Sequence, residues 1–195
     1  MTPQPVALHV CCAPCLATAL ETIRREEGHP CGEVAGIIFY NPNIHPLLEF
    51  RRRVKALRVY LERDPVSAEI DDTYGLREWL SRVADGAPDR RERCYRCYLM
   101  RLGEAARIAA GRGAGAFSTT LLASREQDRD LVAEAGREAG RRAGLDFVQA
   151  DLRKHLPNEK QLRGIYKQQY CGCIFSEEER FRGTNKHLYG QEGEL

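Results

Sequence analysis

Three tight groups of cysteine stand out in the sequence: Cys11, Cys12 and Cys15 in "LHVCCAPC", Cys94 and Cys97 in "RCYRC", and Cys171 and Cys173 in "YCGC", with Cys31 alone in "GHPCGE". Thiols gathered in this way bind metal or exchange electrons. Cys94 and Cys97 lie three positions apart, so at the start of a helix both sulfurs face one side of the turn. Added to Cys11 and Cys12, they make up the four sulfur ligands taken by zinc or by a 4Fe-4S cluster. Spacing alone favours structural zinc. Position argues the other way, because structural zinc commonly staples loops or small domains without a core, and this chain is long enough to have one. Cys15 is either an extra ligand, for a second metal, or a thiol facing the core. Cys171 and Cys173 are of another kind: a C-x-C disulfide closes a very small ring that Gly172 makes feasible, and so strained a bridge opens readily. They read as a redox pair, with two further metal ligands or two ordinary thiols as the alternatives. Cys31 is expected to be inert.

The elements that must position these thiols are legible as short apolar runs alternating with longer segments of helical period. "VALHV", "VAGIIFY", "SAEI", "AFSTTLL" and "DFVQA" read as strands, followed by helices over 16–27, 46–63, 74–84, 126–143 and 158–168. A further helix is expected over 94–110, after the polar loop "DGAPDRRER". This order predicts an α/β domain with a mostly parallel sheet and helices on both faces. In such sheets ligands collect beyond the carboxyl ends of the strands, where "LHVCCAPC" delivers its thiols. Pro14 cannot extend a central strand but suits a first helical turn, so Cys11 and Cys12 are expected in a strand-to-helix elbow, both within reach of one inorganic centre. The helix N-terminus that follows would offer N–H groups and partial positive charge to an anionic cluster. Asn41, Asn43 and His45 of "FYNPNIHP" should reach the same edge, as should the hydroxyls of Ser118, Thr119 and Thr120, all candidate ligand contacts. His9, His29, His155 and His187 have no ligand spacing to the cysteines and read as structural or solvated. Over 46–63, Leu47, Phe50, Val54, Leu57 and Leu61 form one apolar stripe, with an Arg run assigned to the other face.

At 195 residues, with 43% hydrophobic and 30% charged residues, the chain fits one soluble domain, placed at 1–182 with a loosely held polar tail over 183–195. No apolar run approaches the ~20 residues of a membrane helix, and the N-terminus has no secretory pattern. A cytoplasmic location without a membrane partner is expected. In a reducing cytoplasm clustered cysteines are metal ligands or redox groups rather than structural disulfides. All but five of the 30 Lys and Arg residues are Arg, with clusters at Arg51, Arg52 and Arg53 and at Arg90, Arg91, Arg93, Arg96 and Arg101. Arg suits phosphate, although composition alone favours GC-rich codon usage and solvated helix faces. Neither a phosphate loop nor a dinucleotide fingerprint is present, which disfavours an ordinary nucleoside triphosphatase or dinucleotide oxidoreductase.

Taken in order, the cysteine groups with "FYNPNIHP", "FSTTLL" and "YKQQYCGCIFS" closely resemble the cobalamin-independent epoxyqueuosine reductases of the QueH family, from about Leu8 to Glu179. The resemblance implies a fold related to the adenine-nucleotide α-hydrolases (HUP-like). It implies an oxidoreductase of tRNA processing that converts epoxyqueuosine to queuosine at the wobble position by two-electron deoxygenation. By motif, Cys11, Cys12, Cys94 and Cys97 would hold a 4Fe-4S cluster, and Cys171 with Cys173 would be the redox-active pair, alternating between dithiol and disulfide. A mononuclear iron beside the cluster is also implied. Some members of the family carry an acidic residue after Cys-Cys-Ala-Pro; here Cys15 takes that place and is the candidate ligand for the second iron. The stretch from Phe147 to Tyr166 departs from the family pattern. Implied partners are tRNA carrying epoxyqueuosine, of the Asp, Asn, His and Tyr acceptors, and an external electron donor. The resemblance reverses the preference for zinc, and chemistry agrees, because zinc is redox-inert and deoxygenation consumes two electrons. Two rivals remain: a tRNA thiolase on a related fold, disfavoured by the missing Ser-Gly-Gly phosphate loop, and a zinc-stabilised RNA-binding module.

Overall fold

In the computed structural model, which describes residues 5–86, 89–157 and 159–182, Val6–His9 (β1) is buried along its whole length. A strand without an exposed face belongs inside a parallel sheet covered by helices on both sides. Val34–Phe39 (β2), Ala68–Ile70 (β3), Ala116–Thr119 (β4) and Asp146–Phe147 (β5) complete the sheet among the described residues. Its order is β3-β2-β1-β4-β5 with every pairing parallel. The helices are α1 (Ala13–Arg25), α2 (Leu47–Arg63), α3 (Leu76–Val83), α4 (Arg90–Gly111), α5 (Arg129–Ala143), α6 (Glu159–Leu162) and α7 (Ile174–Phe181). From β1 the chain steps outward to β3, then returns past β1 to β4. Because parallel crossovers keep one hand, that reversal puts the pair α1 and α2 on one face and the pair α4 and α5 on the other. It also opens a crevice beyond the carboxyl ends of β1 and β4. The single α/β domain expected from the sequence is therefore the one observed, and no helix among the described residues is long and apolar enough to cross a membrane.

Local chemistry moves several boundaries. Helix α4 starts at Arg90 rather than 94, because the Asp89 side chain accepts from the backbone N–H of Arg91 and Glu92 and so caps it. The polar "RRER" is thus a first helical turn. Strand β4 stops at Thr119, whose hydroxyl accepts from Leu121 N and starts a 3-10 turn over Thr120–Ala123. The helix expected over 158–168 exists only as α6, and Gly164, at φ 71°, turns the chain away just beyond it. The expected tail, 183–195, lies outside the described residues. The main core centres on Leu8, Leu16, Ile37, Phe39, Leu57, Leu102 and Phe117, while Trp79, Val83, Cys97 and Cys173 form a smaller buried cluster of their own.

Candidate metal and redox centre

Cys12 takes the cap position of α1 in extended conformation with Pro14 in the first turn, so Cys11 and Cys12 do occupy an elbow at the carboxyl end of β1. The backbone N–H of Cys11 donates to Thr120 Oγ1 (3.0 Å), and that hydroxyl lies 3.3 Å from Cys11 Sγ. Gln168 Nε2 donates to Cys12 Sγ at 2.7 Å. The first turn of α1 brings Cys15 back over the elbow, and the sulfurs of Cys11, Cys12 and Cys15 all lie within 4.8 Å of one another, close enough to hold a metal ion. Cys15 therefore joins the group and does not face the core alone. Hydrogen bonds from Cys12 and Cys15 hold the Cys11 thiol well below its ordinary range. Burial pushes Cys12 up, and the hydrogen bond to Cys11 pushes Cys15 up. The three crowded thiols thus oppose one another's ionisation, and a bound cation would favour the thiolate form of all three.

Cys94 and Cys97 sit in the second turn of α4, where the indole N–H of Trp79 on α3 donates to Cys97 Sγ at 3.3 Å. Burial raises both thiols, Cys94 to about 11. Across from them, Cys173 caps α7, its sulfur accepting from Ser176 N at 3.3 Å. Cys171 Sγ lies 3.6 Å from Cys173 Sγ and 2.9 Å from Ser176 Oγ. All eight cysteines are free thiols. The C-x-C pair is thus seen as a dithiol, its sulfurs well beyond a bonded separation of about 2.05 Å. The hydrogen bond from Cys173 draws the Cys171 thiol down, and the same contact pushes Cys173 up. Cys94, Cys97, Cys171 and Cys173 line one cavity of about 280 Å³, with Arg90 and Arg91 also among its lining residues.

The turn carrying Cys171 is fastened from α2. Arg53, 2% exposed, donates Nη1 to Cys171 O (2.9 Å), Nη2 to Tyr170 O (3.2 Å) and Nε to Glu49 Oε1 (2.7 Å). Tyr166 donates its hydroxyl to the other oxygen of Glu49. His45 N donates to Gly172 O (2.8 Å) and Tyr170 Oη to His45 O (3.0 Å). Gly172 has φ 117°, a conformation that favours glycine, and a Cβ there would stand 3.0 Å from Arg53 Nη1 and 3.1 Å from Ile44 Cγ1, a tight fit. Replacing Arg53 by alanine leaves the Glu49 carboxylate buried without its cation and is expected to cost about 3–5 kcal/mol of stability. Chemical denaturation checks this; a loss below about 1 kcal/mol would rank the pair with solvent-screened ones.

Other candidates serve different ends. Ser118 donates to Val148 O, Thr119 bonds His9, and Thr120 bonds Cys11, so the β4 hydroxyls are spent within the protein rather than offered to a ligand. His9, driven down to about 3 chiefly by burial, is a neutral ring between Thr119 Oγ1 and Tyr40 O. Cys31 is fully buried, and burial raises its thiol to about 11. Asn41 donates to Val10 O and accepts from Arg101 Nη2 at 2.6 Å. His45 is neutral, lowered to about 4 by burial, with Nδ1 on Tyr74 Oη at 3.1 Å. Among the described residues its Nε2 has no hydrogen-bond partner, nor has either end of the Asn43 amide, Gln168 Oε1 or Arg101 Nε, all of them buried. Unpaired buried polar atoms cost free energy, and a set of them beside clustered thiols suits a bound group. Arg101 connects the thiol groups, since it lines the cavity and its charge acts on Cys11, Cys97 and Cys171. Sequence reading placed Arg53 and Arg101 in arginine clusters without foreseeing their burial, and it missed Glu49, Trp79, Gln168 and Ser176.

A model of the epoxyqueuosine reductase QueH family matches residues 6–179. Among curated relatives, a protein of Dehalococcoides mccartyi named epoxyqueuosine reductase QueH is 32% identical over 188 residues, covering 95% of this chain and 98% of its own length. Proteins of the same name from Thermotoga maritima and Histophilus somni are each 34% identical, covering 90% and 92% of this chain and 91% and 73% of their own.

Proposed function

The chain belongs to the QueH family of epoxyqueuosine reductases, and on that premise we propose that it reduces the epoxide of epoxyqueuosine to the alkene of queuosine at the wobble position of tRNA, in the cytoplasm, with a thiolate-held 4Fe-4S cluster. The observation that carries this reading is the cavity in which Cys94, Cys97, Cys171 and Cys173 meet, lined also by arginines. Cys11, Cys12, Cys94 and Cys97 would hold the cluster. The donor set fits: it is all sulfur, and it lies under the charge of Arg101. Zinc fits less well, because four thiolates on one ion sit nearly in contact, and among the described residues the group that close is Cys11, Cys12 and Cys15, without Cys94 and Cys97. A larger inorganic core tolerates wider spacing. Cys15 would serve an adjacent iron.

Deoxygenation takes two electrons and two protons and releases water. When bound, the cluster would supply electrons singly and the iron a Lewis acid for the epoxide oxygen. The protein's own groups manage protons and position. Cys173, held as a thiol beside Cys171, is a proton source in the cavity wall. Ser176 Oγ lies 2.9 Å from Cys171 Sγ and 3.1 Å from Cys173 O, so its single proton turns to the carbonyl when Cys171 is a thiol and to sulfur when Cys171 is a thiolate. As a redox pair, Cys171 and Cys173 would pass reducing equivalents from an external donor.

Of the cavity-lining arginines, Arg90 and Arg91 are 75% and 67% exposed at the side chain, with acidic partners at 3.8 and 3.2 Å that solvent screens. They are free to take phosphates of an anticodon loop whose modified base has left the stack. For roughly six phosphate contacts, tRNA affinity is expected to fall about 10³-fold between about 50 and 200 mM salt. Filter binding across that range checks it, and a flat response would return the arginines to a solvated face. The reaction itself is tested by anaerobic incubation with tRNA containing epoxyqueuosine and a strong reductant, followed by nucleoside analysis. Queuosine should accumulate; its absence with a fully loaded protein would defeat the proposal.

A further inference from the structure

Among the described residues three arginines are buried, and two have a carboxylate: Arg53 pairs with Glu49 and Arg93 with Glu179. Arg101, 1% exposed, has none among the described residues. The groups that face it come from several elements: Asn41 after β2, which it bonds, Cys97 on its own helix and Cys171 before α7, which line the same cavity, and His9 and Cys11 at the end of β1, on which its charge acts. His9 is neutral and Asn41 offers only an amide oxygen, at 2.6 Å, while Arg101 Nε has no hydrogen-bond partner among the described residues. A buried guanidinium needs an anion, and with no carboxylate beside it among the described residues, the counter-charge of Arg101 belongs to the thiols, Cys97 among them by hydrogen bond, and to whatever they hold.

We propose that Arg101 is the counter-charge of an anionic metal–sulfur centre at the carboxyl edge of β1, and that it is a positioning residue that makes this centre easier to reduce. The proposal rests on the iron–sulfur reading above. Each electron added to a thiolate-held core makes it more negative, and a fixed positive charge in a low-dielectric site stabilises the more negative state. Arg93 cannot do this, because Glu179 cancels it.

The test compares full-length, anaerobically loaded wild type with Arg101→Gln, Arg101→Lys and Asn41→Asp. Iron and sulfide content, thermal midpoint and reduction midpoint, followed by EPR, are measured for each. Arg101→Gln should lower the one-electron reduction constant at least about tenfold, which is about 59 mV. Arg101→Lys keeps the charge and should stay within about threefold of wild type. Asn41→Asp places a carboxylate on the guanidinium and should lower the potential like the Gln variant, with Arg101 still in place. If Arg101→Gln does not fold, Asn41→Asp decides alone. A purely structural Arg101 would shift thermal midpoints and leave potentials unmoved, and unmoved potentials in a loaded protein overturn the proposal while leaving the iron–sulfur reading intact. Wild type without iron and sulfide overturns that reading and this proposal together.

Discussion

Cys97→Ser is expected to give a folded, colourless protein that neither retains iron and sulfide nor makes queuosine. Serine keeps the size of the side chain and still accepts the Trp79 N–H that now reaches Cys97 Sγ at 3.3 Å, so the small cluster of Trp79, Val83 and Cys173 around it should survive. What disappears is a thiolate. Residues that merely orient a ligand cost about 10- to 100-fold in metal affinity when removed, and loss of a ligand to a four-thiolate core should exceed that. Metal and sulfide analysis beside circular dichroism separates loss of the cluster from loss of fold. If Cys97→Ser keeps iron and sulfide in wild-type proportion, the metal belongs to Cys11, Cys12 and Cys15, and α4 only lines the cavity.

Cys171→Ser should behave in the opposite way, keeping the chromophore while queuosine formation under a physiological donor falls by at least about 10²-fold, the scale of a lost acid–base group. The residue lies in the cavity, fastened by Arg53 through the carbonyl of Cys171 itself, so the substitution leaves the turn in place. Its thiol is drawn down mainly by the hydrogen bond from Cys173. Alkylation of Cys171 by iodoacetamide, followed by mass spectrometry against pH, should therefore show a midpoint below the value of about 8.5 of an ordinary thiol. Cys173→Ala should move that midpoint upward. The sign for stability follows: a depressed pKa in the folded state contributes stability that is complete above about 8.5 and is lost as pH falls through the folded value. A wild-type rate in Cys171→Ser would remove the pair from the reaction.

Helix α4 illustrates how far one dimension reaches. Cys94, Cys97, Tyr98 and Arg101 recur at steps of three, one and three, which places them on one helical face, so the charge beside the thiols was written in the spacing. Arg53 likewise stands three residues after Phe50 and one before Val54, inside the apolar stripe rather than opposite it. Composition alone favours a solvated face for both, and that expectation fails where a buried anion or a carboxylate such as Glu49 is present to receive the charge.

By itself the sequence determined the alternation of strand and helix, the parallel sheet, the elbow that presents Cys11 and Cys12, and the family likeness, because all of these follow from patterns among near neighbours. Tertiary structure alone decided the partners. Cys15 turned inward to Cys11 and Cys12, while Cys94 and Cys97 came to share a cavity with Cys171 and Cys173. The hydroxyls of β4 were consumed by His9, Cys11 and Val148. The physical reason is that burial and charge compensation depend on every element packed around a side chain. Gln168 meets Cys12 across 156 positions and Arg101 meets Asn41 across 60, distances over which no local period carries information.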